Sequence, residues 1–219
     1  MSTNPKQALF AEFAAVARAI GHPARLEILE SLAQGERGVD ALSSRLAMPI
    51  ANTSQHLQQL RRAGLVASRR DGKFILYRLA DDQVLALLST LRQVAERNIA
   101  EVEKIVRGYF SERDNMEPIA RVELLERMRS GLVTVLDVRP VDEFAAGHVP
   151  GAVNMQLGEL EARLVEFKST HEIVAYCRGA YCVLSFEAVA KLRARGFKAR
   201  RLEDGMPEWR AAGLPVELA

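Results

Sequence analysis

Cys177 and Cys182 are the only cysteines in a chain of 219 residues, and four residues separate them. The run IVAYCRGAYC sets Cys177 at the end of an apolar, β-type stretch and Cys182 just before a helical one, VLSFEAVAKLRARG. A thiol on a loop between a strand and a helix is expected to meet backbone N–H groups and the helix N-terminus. Both lower its pKa and stabilise a thiolate or a bound anion. Arg178 adds positive charge beside it. Cys177 and Arg178 are therefore predicted as a reactive centre, with Cys182 as its partner thiol. In a reducing compartment such a pair is catalytic, redox-sensing or metal-binding rather than a structural staple. Several uses stay open: Cys182 attacks a persulfide on Cys177, resolves a sulfenic acid there, or joins it in holding a soft ion such as arsenite. The bland alternative is that Cys182 packs on the first turn of the helix.

A second group of polar residues has a different chemistry. In PIANTSQHLQQLRR, residues 49–62, Asn52, Thr53, Ser54, Gln55, Gln58 and Gln59 are short or amide side chains that reach base edges and phosphates. Arg61 and Arg62 suit phosphates, while Leu57 and Leu60 are expected to face inward. In LVASRRDGKFILYRL, two β-type runs flank Asp71-Gly72, a strong hairpin signal, and Arg69, Arg70 and Lys73 make a compact basic tip. Such a tip suits backbone contact with release of counterions. His56 stands alone ahead of an apolar residue, so packing or a phosphate contact is expected rather than metal ligation.

These groups need elements to hold them. Residues 7–20 place Leu9, Phe10, Phe13, Val16 and Ile20 at helical spacing, and Pro23 opens a second helix. Residues 39–46 and 50–63 make two short helices divided by Met48-Pro49, and the hairpin follows. Helix, helix, tight turn, helix and hairpin is the order of a winged helix-turn-helix, whose second paired helix enters the major groove. Val84, Leu88, Leu91, Ala95, Asn98, Val102 and Ile105 then alternate at four- and three-residue spacing. They predict one long helix over 83–107 that pairs with a second copy, together with residues 7–20. Residues 111–118, SERDNMEP, read as a linker, so the domains are expected at 1–110 and 119–219. In the second half VTVLDVR and EIVAYC read as buried parallel strands, each followed by helix signals, an α/β pattern.

Bulk properties set limits. The net charge of +2 is no argument for nucleic acid, but residues 1–110 hold 15 Lys+Arg against 11 Asp+Glu and the remainder 15 against 17, so the excess lies in the first half. No run approaches a membrane span and the start lacks a secretory pattern, so a cytoplasmic protein without membrane contact is expected.

The runs ARAIGHPARLEILESL, LSSRLAMPIANTSQHLQQLRRAGLV and SRRDGKFILYRL resemble the ArsR/SmtB family over residues 8–107. The resemblance implies a homodimer that releases double-stranded operator DNA when an inducer binds. Metal-sensing members carry cysteines on the helix before the recognition helix, or Asp, His and Glu ligands on the last one. Here ERGVDALSSRL has no Cys and residues 83–107 no His, so no metal or cofactor is expected in this half. LDVRPVDEFAAGHVPGAVNM, IVAYCRGAYC and LEDGMPEWRAAGLPVE resemble a rhodanese domain over residues 118–217. That places Cys177 where the family carries a persulfide and Asp137, Arg139 and His148 in the first signature, supporting the loop. The family tends to read Cys-x-x-Gly-x-Arg; here Cys182 stands where the anion-binding Arg would, which argues against efficient thiosulfate turnover. The combined expectation is a homodimeric DNA-binding regulator, read as a repressor with activation left open, that responds to reactive sulfur species or thiol redox state. A sulfurtransferase, and a sensor of metalloid or oxidant through the same thiols, are the alternatives.

Overall fold

The structure, a computed structural model, describes residues 4–106, 108, 118–167 and 171–219. The expected linker at 111–118 lies outside these except for Pro118. The chain forms two compact units, Met1–Leu87 and Leu88–Ala219.

In the first unit, helices α1 (Pro5–Ile20) and α2 (Pro23–Ala33) both carry proline in the first turn, where no hydrogen bond is lost. Asn4 caps α1 by accepting from the Lys6 N–H, and the His22 ring caps α2 by accepting from Ala24. Strand β1 (Arg37–Gly38) leads into α3 (Val39–Arg45), followed by α4 (Ile50–Arg62). The turn between α3 and α4 is fixed by Ser43, whose hydroxyl donates to the Met48 carbonyl at 2.6 Å, with Ala47 in the left-handed region at φ 48°. Strands β2 (Val66–Asp71) and β3 (Phe74–Leu79) form the hairpin around Gly72, whose φ of 59° is the positive value such a turn requires. The antiparallel sheet runs β1-β3-β2, with β1 a strand that its two residues were too few to announce. Ile28, Leu29, Leu42, Leu57 and Leu60 are fully buried in this unit's core.

The continuous helix expected over 83–107 is corrected by the structure. It is interrupted at Ile99, whose extended backbone separates α5 (Gln83–Asn98) from α6 (Ala100–Ile105). Val84 is buried and Leu88 and Ala95 are half-buried, whereas Leu87, Leu91 and Val94 are the exposed apolar residues. The outward stripe is thus rotated from the expected one. Asn98 donates its amide to the Val94 carbonyl of its own helix at 2.8 Å.

The second unit continues with α7 (Arg121–Ser130), β4 (Val133–Asp137), α8 (Val141–Ala145), β5 (Val153–Asn154), β6 (Glu172–Tyr176), α9 (Val183–Ala194), β7 (Ala199–Arg201) and α10 (Met206–Ala211). Its four-stranded sheet is parallel throughout, in the order β5-β4-β6-β7. Both faces are covered, which explains the unbroken apolar runs. Ile173 and Ala175 join one core cluster and Val174 and Tyr176 the other, so successive residues of β6 alternate sides. Cys177 continues that alternation into the cluster containing Val189 and Leu192 of α9.

Candidate functional site

The loop from Cys177 to Cys182 joins β6 to α9, and Cys182 is the N-cap residue of α9. The two cysteines are joined as a disulfide with their Cα atoms 6.1 Å apart, inside the range such a bond requires. Cys177 is buried, and Cys182 is half-buried. The loop turns back on itself through Cys182 N–H donating to the Gly179 carbonyl at 3.1 Å. The Ser185 backbone and hydroxyl both donate to the Cys182 carbonyl, closing the first turn of α9.

Arg178 does not extend freely from the loop. Its Nε lies 3.0 Å from both carboxylate oxygens of Glu143, a fully buried residue of α8. Glu143 lies within the LDVRPVDEFAAGHVPGAVNM run, but its pairing with Arg178 was not legible, because Arg178 comes 35 positions later.

A second segment holds the loop from behind. The Met206 N–H donates to the Cys177 carbonyl at 3.1 Å. A Cβ on Gly205 would stand 2.3 Å from the Arg178 carbonyl carbon and from the Gly179 nitrogen, so this position touches the loop backbone directly. Glu208 accepts the Gly205 N–H at 3.1 Å and caps α10. Burial lifts the Glu208 carboxyl above the usual carboxylate range, and nearby Arg92 and the Gly205 N–H offset part of that shift.

Asp137 and Arg139 form a fully buried ion pair, with Nη2 2.6 Å from Oδ2. Arg139 also donates to the Gly147 carbonyl, and the Tyr176 hydroxyl donates to Asp137 at 2.6 Å. Burial opposes the charge on Arg139, but the Asp137 carboxylate more than compensates, and the guanidinium is held protonated. Burial, reinforced by Asp137, pushes the Tyr176 phenol well above its ordinary pKa. This network fixes the residue immediately before Cys177. His148 has other contacts: its ring stacks on Phe144 at 3.7 Å and its Nε2 lies 3.6 Å from Glu217.

In the first unit, α4 turns Asn52, Gln55, Gln58, Gln59, Arg61 and Arg62 outward, with Ser54 half-buried. Thr53 is corrected. It shares the inward face with Leu57 and Leu60 at three- and four-residue spacing, is fully buried, and donates its hydroxyl to the Pro49 carbonyl. On the hairpin, Arg70 donates to the Gly72 carbonyl and Lys73 lies over the Phe74 ring. Arg69 is paired with Glu36 at 2.7 Å and lies near Asp71, so acidic neighbours offset part of the basic tip.

His56 faces His22, with ring centroids 4.7 Å apart, and its Nδ1 is buried without a hydrogen-bond partner among the described residues. Burial, then the His22 and Arg25 charges, depress its pKa below 6.5. A lowered histidine pKa means the unfolded chain takes up the proton first as pH falls. Stability from this group is therefore present above about pH 6.5 and lost as pH drops through the folded-state value. Expected is a lower melting temperature at about pH 5.5 than at about pH 7.5, with a smaller difference in His56→Gln.

Comparison with known proteins bears on both units. Residues 22–68 match the family model described as bacterial regulatory protein, arsR family, and residues 120–212 match the rhodanese-like domain. The chain is 43% identical over 215 residues to the HTH-type transcriptional regulator Rv0324 of Mycobacterium tuberculosis, covering 98% of this chain and 94% of that protein. A winged helix-turn-helix DNA-binding domain from Mycobacterium bovis, described as homodimeric, is 36% identical and covers 45% of this chain and 92% of its own, with a TM-score of 0.42. A rhodanese-related protein from Thermoplasma volcanium is 27% identical and covers 48% of this chain and 100% of its own, with a TM-score of 0.43. No helix among the described residues is long and apolar enough to cross a membrane.

Proposed function

The chain belongs to the arsR family of HTH-type transcriptional regulators and joins that DNA-binding fold to a rhodanese-like one, and on this premise we propose a homodimeric repressor controlled by the Cys177–Cys182 pair. The observation that carries the reading is the reach of the two sulfurs: Cys177 and Cys182 pair across a six-residue loop. The signal is a reactive sulfur species. The Cys177 thiolate takes a sulfane sulfur from a polysulfide, which leaves one sulfur shorter, and becomes a persulfide. The Cys182 thiol then attacks the inner sulfur. The S–S bond to the outer sulfur breaks, hydrosulfide leaves, and a Cys177–Cys182 disulfide remains. Two thiols are oxidised by two electrons and the sulfane sulfur is reduced to sulfide. An oxidant enters the same route through a sulfenic acid on Cys177.

DNA contact is assigned to Asn52, Ser54, Gln55, Gln58, Arg61 and Arg62 on α4, with Arg69, Arg70 and Lys73 of the hairpin on the backbone. Dimer formation is assigned to exposed apolar residues of α1, Leu9, Phe10 and Phe13, and of α5, Leu87, Leu91 and Val94.

The test uses the reduced full-length protein and a duplex selected from a random pool by that protein. Polysulfide is expected to weaken duplex binding and to leave the loop peptide two mass units lighter, as a disulfide. Cys177→Ser should abolish both changes. Unchanged binding alongside a modified Cys177 would refute control by this loop. Sustained thiocyanate production from thiosulfate and cyanide, lost in Cys177→Ser, would instead favour a sulfurtransferase.

A further inference from the structure

We infer that helix α5 reads the state of the cysteine loop, with Arg92 and Glu96 as its two points of attachment. The inference deepens the sulfur-sensing reading and shares with it the Cys177–Cys182 pair, but it concerns where the change goes next.

The second compact unit begins at Leu88, so the greater part of α5 belongs with the loop rather than with the helices before it. Two arms connect them. The first begins at Tyr181, which lies inside the loop next to Cys182. Burial, with the Glu96 carboxylate nearby, raises the pKa of its phenol, and its ring lies under the Arg92 guanidinium with 5.6 Å from Cζ to the centroid. The second begins at Cys177, whose carbonyl is held by the Met206 N–H. Gly205 presses on the Arg178–Gly179 peptide and donates to Glu208, and Glu208 stands 3.7 Å from Arg92.

Arg92 and Glu96 are four residues apart and therefore share one face of α5. The two ends of the loop, one at each cysteine, converge on neighbouring side chains of a single helix. Leu87, Leu91 and Val94 of that helix are exposed, and they mark a different face. A helix gripped on one side by the loop and apolar on another is placed to turn a change in loop length into a change in its own order.

The disulfide fixes both ends of the loop, so Tyr181 has a fixed position beneath Arg92 and the Arg178–Gly179 peptide a fixed position against Gly205. Reduction breaks the S–S bond, and each sulfur takes one electron and one proton from an added dithiol. The constraint on Tyr181 is then removed while the chain stays intact. The attachment of α5 weakens, and its backbone opens more often.

Hydrogen–deuterium exchange of the full chain tests this in disulfide and dithiol states, each verified by thiol labelling. Reduction with dithiothreitol is expected to speed exchange across residues 88–98 by about two- to tenfold, the range set by loss of one net hydrogen bond. Tyr181→Phe keeps the ring but removes the hydroxyl. In that variant the oxidised protein should already exchange at the faster rate, and reduction should add little. Arg92→Gln should behave alike. Identical exchange of α5 in the two wild-type states would overturn the inference, and so would a full redox response retained in both variants. The outcome separates the two proposals. If α5 responds while duplex binding does not, the sensing reading fails and this one stands. If duplex binding responds while α5 does not, the reverse holds.

Discussion

Arg139→Leu is expected to destabilise the second unit by about 3–5 kcal/mol, the cost typical of stranding one partner of a buried ion pair. Neither side chain of the Asp137–Arg139 pair reaches solvent. Without the guanidinium, Asp137 keeps, among the described residues, the Arg139 backbone N–H and the Tyr176 hydroxyl as partners for a buried charge. Urea denaturation followed by tryptophan fluorescence reports the loss directly, since the chain's one tryptophan, Trp209, is fully buried in this unit. Asp137→Asn combined with Arg139→Gln removes both charges and should cost less than the sum of the single changes. Additive losses would mean that the pair acts through packing and not through charge.

The second large effect is expected at Gly205. In Gly205→Ala the new methyl would lie 2.3 Å from two backbone atoms of the cysteine loop, and neither is the movable end of a side chain. Overpacking of this kind costs about 1–3 kcal/mol. The larger consequence falls on chemistry, because the loop must retreat and the Met206 bond to Cys177 goes with it. An ångström of misplacement at a reacting centre costs on the order of a hundredfold in rate. Closure of the Cys177–Cys182 pair by an added disulfide reagent, timed by alkylation and mass, should therefore slow by about tenfold or more. Closure at the wild-type rate would show that the loop does not depend on this backbone contact.

What the sequence revealed and what it hid divide along physical lines. The helices of the first unit were legible because local signals agree: proline at first turns, apolar residues at helical spacing, and Asp71-Gly72 between β-type runs. Strands β4 and β6 were legible because burial on both faces leaves unbroken apolar runs, whereas β5 and β7, of two and three residues, are too short for any pattern to emerge. The interruption at Ile99 carried no Pro or Gly to announce it. Thr53 looked like its polar neighbours in composition, and only the helical phase set by Leu57 and Leu60 distinguishes it. The ties Arg178–Glu143, Arg69–Glu36 and Arg92–Glu208 join residues far apart in sequence. Charges at such separations are interchangeable until the fold brings particular ones together.

The short span between the two cysteines also bears on how the proposed response would scale. With partner sulfurs held in one loop, closure is an intramolecular event whose effective concentration is set by the loop and not by how much protein is present. On the proposed reading, each copy of the chain therefore closes its own disulfide without needing a thiol from a second copy. In the proposed dimer, copies that close independently would give three populations, unconverted, half-converted and fully converted. On that reading, the steepness of the regulatory output would arise downstream of the sulfur chemistry, from how half-converted dimers hold DNA.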